Sequence, residues 1–171
     1  MTNDRIVCFT GHRVIPQTEH AELKRRLREE LLRQIAAGAT VFRAGGALGF
    51  DTMAAQTVLE LRESYPEIRL ELILPCPDQS EHWKPLDAMV YDEIREQADA
   101  VRIVSPYYYP GVLQQRNREL VRGASVCIAY LTDSHSHSGG TAYTVTEALR
   151  SGAVFVNLGG VRPWDAVPNP A

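Results

Sequence analysis

Three glycine-bearing segments carry the side chains best suited to gripping a phosphorylated small molecule: Thr-Gly-His-Arg at 10–13, Ala-Gly-Gly-Ala-Leu-Gly-Phe-Asp at 44–51 and Ser-Gly-Gly-Thr-Ala at 138–142. In the first, Gly11 permits a sharp turn with exposed amides. His12 adds a titratable donor and Arg13 a fixed cation matched to phosphate. In the second, Gly45, Gly46 and Gly49 let main-chain N–H groups approach an anion or a ribose at the mouth of a helix. Asp51 either accepts from a sugar hydroxyl or simply complements the first turn of that helix. In the third, Ser138 is placed to cap a helix, Gly139 and Gly140 expose amides, and Thr141 adds a hydroxyl, which together describe an anion site at a positive helix end. The glycine spacing matches neither a Walker A loop nor GxGxxG, and no Gly-Lys-Ser/Thr occurs, which argues against P-loop ATP hydrolysis.

Other candidates are weaker. Asn117 and Arg118, in Leu-Gln-Gln-Arg-Asn-Arg-Glu at 113–119, could point across a crevice toward the glycine loops, or Arg118 could belong to an ordinary surface ion-pair set with Glu119. Tyr107, Tyr108, Tyr109 and Trp83 are aromatic platforms for a base or covers for a core edge. The basic run 24–28 is broken by Leu27 and followed by Glu29 and Glu30, the pattern of a solvated helix face. His135 and His137 lack a carboxylate-rich partner, so no metal site is expected.

These loops need a frame to hold them. Short apolar runs at 6–10, 39–44, 70–75, 100–105, 126–131 and 153–158 read as buried strands. Helical patterns fall between them at 18–37, 50–64, 83–98, 112–123 and 140–151. In the first of these, Leu23, Leu27, Leu31 and Ile35 recur every four residues before the stop at Gly38. Pro85 belongs near a helix start, and Asp78 to Glu81 has capping-box spacing. Strict alternation of strand and helix requires right-handed crossovers onto a mostly parallel sheet. The expected fold is α/β, a Rossmann-like three-layer sandwich, as one domain over 1–158 with an irregular, proline-bearing tail over 159–171. Ligands of such folds bind beyond the carboxyl ends of the strands, where the strand order reverses.

Composition bounds the remaining possibilities. With 171 residues, 44% hydrophobic and 23% charged, the chain has the make-up of an ordinary folded domain. Eighteen basic against 21 acidic residues leave a net charge of −3, so a bulk field for nucleic acid is missing. Cys8, Cys76 and Cys127 are odd in number and set in apolar runs, which predicts buried reduced thiols rather than disulfides or zinc. With neither a secretory signal nor an apolar run of membrane-spanning length, the expected location is cytoplasmic. Apolar helix faces leave a homo-oligomer open.

With four blocks in order, 10–13, 44–51, Gln-Arg-Asn-Arg at 115–118 and 138–142, the sequence resembles the SLOG superfamily, the Rossmann-like group that joins DprA/Smf DNA-processing proteins with the cytokinin-activating LOG proteins. It is most similar to the stand-alone YpsA-like branch, including the stretch from Pro75-Cys76-Pro77 to Trp83-Lys84. The resemblance implies a pocket for a nucleotide-like small molecule, with no cofactor and no guaranteed reaction. LOG proteins are phosphoribohydrolases that use an Arg and the Glu of a PGGxGTxxE motif, which here would make Arg118 and Glu147 the catalytic candidates. With the glycine pair aligned, this chain lacks the leading proline and the further glycine before the threonine of that motif. Glu147 falls one place late, a rotation of about 100° on a helix. The DprA likeness implies single-stranded DNA binding, which the charge of −3 disfavours.

Overall fold

The structure, a computed structural model, describes residues 4–132 and 140–159. Its elements alternate as β1 (Arg5–Gly11), α1 (Gln17–Ala36), β2 (Ala39–Ala44), α2 (Phe50–Arg62), β3 (Arg69–Leu74), α3 (Pro85–Gln97), β4 (Ala100–Ile103), α4 (Val112–Val121), β5 (Val126–Tyr130), α5 (Gly140–Arg150) and β6 (Val154–Asn157). The six strands form one sheet in the order β4-β3-β2-β1-β5-β6, every pair parallel. The expected α/β Rossmann-like sandwich is therefore present. Most boundaries fall within two residues of the sequence pattern. Pro85 opens α3, where a missing N–H costs no helical bond. Residues 78–83 form turns, with the Glu81 N–H donating to the Asp78 carbonyl and the Trp83 N–H to that of Ser80.

Strand alternation divides the core in two. Val7, Phe9, Phe42, Leu70, Leu72, Ile128 and Tyr130 face α1, α2 and α3, meeting Leu23, Leu27, Leu31, Phe50 and Val58. Cys8, Ile73 and Cys127 face the opposite way, toward Leu120 and Val121 of α4 and Ala148 of α5. All three cysteines are free and buried, as expected. The basic face of α1 is solvated: Arg25 bridges Glu22 and Glu29, and Lys24 reaches Glu60. The chain travels outward from β1 through β2 and β3 to β4, then returns to lay β5 against the other side of β1. That reversal parts the β1 and β5 loops and opens a crevice between them. Beyond Gly159 the predicted tail lies outside the described residues.

Candidate functional site

A cavity of about 300 Å³ lies at this reversal. Its wall takes Gly11, His12 and Arg13 from the β1 loop, Ala47 and Asp51 from the start of α2, Arg116 and Asn117 from α4, and Gly140 and Thr141 from the start of α5. Seven residues singled out in the sequence thus meet around one space: Gly11, His12, Arg13, Asp51, Asn117, Gly140 and Thr141. Gly45, Gly46, Gly49, Arg118 and Glu147 do not line it. Ser138 and Gly139, with His135 and His137, lie outside the described residues. Among the described residues no cluster of three potential metal ligands occurs.

The second glycine loop does a different job from the first. Asp51 is 6% exposed and accepts the Ala47 N–H at 3.2 Å, with the Gly45 N–H also directed at it. These amides therefore face an internal carboxylate. A Cβ on Gly45 would come within 2.7 Å of Arg116 Nη1 and 3.0 Å of Asp51 Oδ2, so only glycine allows the loop to close over this pair. Gly46 is anchored by Gln79, whose Nε2 donates to its carbonyl at 3.1 Å. Gly49 holds φ at +78°, and a Cβ there would overlap the Arg13 backbone. The Phe50 N–H donates to the His12 carbonyl at 3.1 Å, so the second loop fixes the first.

Arg116 is the functional candidate that the loop-centred reading passed over. It is 6% exposed, donates Nε to Asn117 Oδ1 at 2.9 Å, and donates Nη1 to the Gly45 carbonyl. Its signal is in the sequence: Val112, Arg116 and Leu120 stand four apart, as do Leu113, Asn117 and Val121, so Arg116 and Asn117 sit on a stripe that is otherwise apolar. Arg118, one step round the helix, is exposed and donates to the Tyr143 hydroxyl at 3.1 Å. Glu147 pairs with Arg150 at 3.5 Å. Neither aromatic platform reaches the cavity wall: Trp83 packs edge-on against Tyr91 at 5.2 Å, and Tyr107 and Tyr108 face solvent.

Burial raises the Asp51 carboxyl to about 6, against the opposing pull of Arg116, the Ala47 and Gly45 amides, and Arg13. Burial in turn lowers Arg116, and Asp51 counteracts it. His12 is oriented from two sides: its Nε2 accepts the Thr132 N–H at 3.1 Å, and its ring meets Tyr130 edge-on at 5.8 Å. Arg13 is exposed and forms no ion pair within 4 Å among the described residues. Asn117 Oδ1 is engaged by Arg116, and its amide nitrogen lies 3.8 Å from where a Cβ on Gly140 would stand. The wall thus combines cations, an amide donor, a hydroxyl and a helix N-terminus around one buried carboxylate.

An all-parallel α/β sheet with its polar crevice at the strand-order reversal is a Rossmann-like architecture. The profile of the YspA SLOG family matches residues 10–153, and the chain belongs to that family. It is similar to a UPF0398 protein of Bacillus pumilus, 31% identical over 153 residues that cover 84% of this chain and 81% of the relative. A UPF0398 protein of Brevibacillus brevis is 36% identical over 94 residues, 55% of this chain and 50% of that one. Among solved structures, DNA processing protein A from Helicobacter pylori, described for its single-stranded DNA binding mode, matches with a TM-score of 0.62 at 19% identity. That match covers 90% of this chain but 64% of the other, and the likeness is one of fold.

Proposed function

We propose that the protein is a binding module for a nucleotide or nucleotide-derived phosphorylated ligand, seated in the cavity at the β1/β5 edge. The observation that carries this reading is the convergence of Arg13, Asn117, Gly140 and Thr141 on a cavity whose floor holds the buried Arg116 and Asp51. The start of α5 supplies a positive helix end, and Arg13 supplies an exposed cation, which together suit a phosphate. Asp51 accepts and Asn117 donates, a pairing suited to sugar hydroxyls. About 300 Å³ is at the small end of small-molecule sites and takes a nucleoside-sized group.

Because the Gly45 and Ala47 amides face Asp51, the phosphate in this proposal is held by the β1 loop and the start of α5, with the second glycine loop positioning the carboxylate. Hydrolysis of an N-glycosidic bond by Arg118 and Glu147 has less support, since neither residue lines the cavity. Gly140→Asp tests the proposal. A Cβ at Gly140 meets nothing closer than 3.8 Å, and an acid at the start of a helix is tolerated, so the fold should survive while the added charge repels the phosphate. The expected result is wild-type melting without ligand and loss of the stabilisation that nucleoside 5′-monophosphates confer on the wild type. Equal stabilisation of both proteins would overturn the site. Release of free base from any monophosphate would establish the hydrolase reading instead.

A further inference from the structure

A second cavity, of about 530 Å³, shares His12 and Arg13 with the first. The alternation of side chains along the strands explains the pair. Tyr130 points to the α1 side of the sheet, whereas Arg116, Asn117 and Thr141 approach from the α4 and α5 side. The β1 loop therefore sits astride the carboxyl edge of the sheet with one hollow on each flank.

The second hollow differs chemically from the first. Val14, 80% exposed, Pro16 and the Tyr130 ring give it an apolar wall. Its acidic group is Glu19, which accepts the Tyr130 hydroxyl at 2.5 Å. Burial, reinforced by Glu19, pushes that phenol up to about 12, so it stays a donor at neutral pH. An acceptor carboxylate beside apolar surface suits a neutral group bearing hydroxyls or an amine, and repels a second phosphate. The one cation common to both linings is Arg13, which lies where the two hollows meet.

We infer that the ligand is bipartite: a nucleotide in the first cavity whose phosphate or diphosphate crosses the β1 loop at Arg13 and carries a second, neutral nucleoside or sugar into the hollow lined by Val14, Pro16, Glu19 and Tyr130. This inference rests on the nucleotide reading of the first cavity and specifies the substrate class. It agrees with the general geometry of doubly wound sheets, where extended ligands lie across the strand-order reversal.

Calorimetric titration of the full chain with nucleoside 5′-monophosphates and with the matching dinucleoside 5′,5′-diphosphates tests it. The expected result is at least about tenfold tighter binding of the diphosphates, a gain that Val14→Trp abolishes while leaving monophosphate affinity within about twofold. Val14 is solvent-facing, so the bulkier ring fills the hollow without disturbing the core. Glu19→Gln keeps an acceptor for Tyr130 and is expected to remove a smaller part of the same gain, which checks the result with an unaltered cavity shape. Equal affinity for the two ligand classes, or a gain that survives Val14→Trp, overturns the bipartite ligand while leaving the monophosphate site standing. Failure of both classes to bind overturns the nucleotide reading and this inference together.

Discussion

Arg116 is a guanidinium held inside the protein by acceptors that the chain itself provides: the Gly45 carbonyl, Asn117 Oδ1 and, at 3.5 Å, Gln79 Oε1. Its charge also moderates the burial of Asp51. Arg116→Met removes these bonds and leaves a buried carboxylate without its main compensating charge. A loss of about 3 kcal/mol is expected at pH 8, from urea unfolding monitored by circular dichroism. The loss should shrink at pH 5, where Asp51 escapes the penalty by binding a proton.

Asp51 gives a signed pH dependence of its own. Its folded pKa of about 6 lies above the ordinary 3.8, so the folded state holds the proton more tightly than the unfolded chain. The stabilising contribution of the protonated acid is complete below pH 4 and is lost as pH rises through 6. Asp51→Asn does not titrate, so the variant should gain on the wild type across this window, by up to about 3 kcal/mol. A stability difference that stays flat from pH 4 to 7 would show that burial does not govern this carboxyl.

At the scale of elements, the site depends on how the start of α2 braces the β1 loop. Gly49 lies at φ +78°, and its backbone passes so close to Arg13 that a Cβ would stand 2.4 Å from the Arg13 carbonyl oxygen. Gly49→Ala therefore combines an unfavourable backbone conformation with a clash against main chain that cannot rotate away. A cost of about 2–4 kcal/mol is expected in chemical denaturation. Because Phe50 N–H also anchors the His12 carbonyl, the displacement should reach His12 and Arg13 and weaken ligand binding, even below the melting transition. Gly38→Ala is the comparison: it shares a positive φ of 97° but has no atom within 4 Å of the added Cβ, so it should cost less and leave binding unchanged.

For the whole molecule, the strand order sets a gradient of protection. β5 is buried at all five positions between β1 and β6, whereas β4, at the edge, is exposed at all four. Native-state hydrogen exchange should therefore show β1, β2 and β5 amides opening last, and those of β4 far sooner. Comparable protection of β4 and β5 would mean that the β4 edge is covered in solution, as by a second copy of the chain. Among the described residues no helix is long and apolar enough to cross a membrane.

The sequence by itself determined the layered fold, because β–α alternation is written in local patterns: Leu23, Leu27 and Leu31 on one helix face, brief apolar runs for strands, and Pro85 and Gly38 at helix ends. It also supplied the glycine-loop residues that meet at the cavity, since their loops follow strands whose carboxyl ends share one side of a parallel sheet. Only tertiary structure decided which polar residues turn inward. One step of about 100° separates buried Asn117 from exposed Arg118, and that choice depends on where α4 packs. Likewise, the Ala47 amide meets Asp51 within one turn of chain, but the Arg116 guanidinium that joins them arrives from a helix some 70 positions away, a juxtaposition that local spacing does not encode.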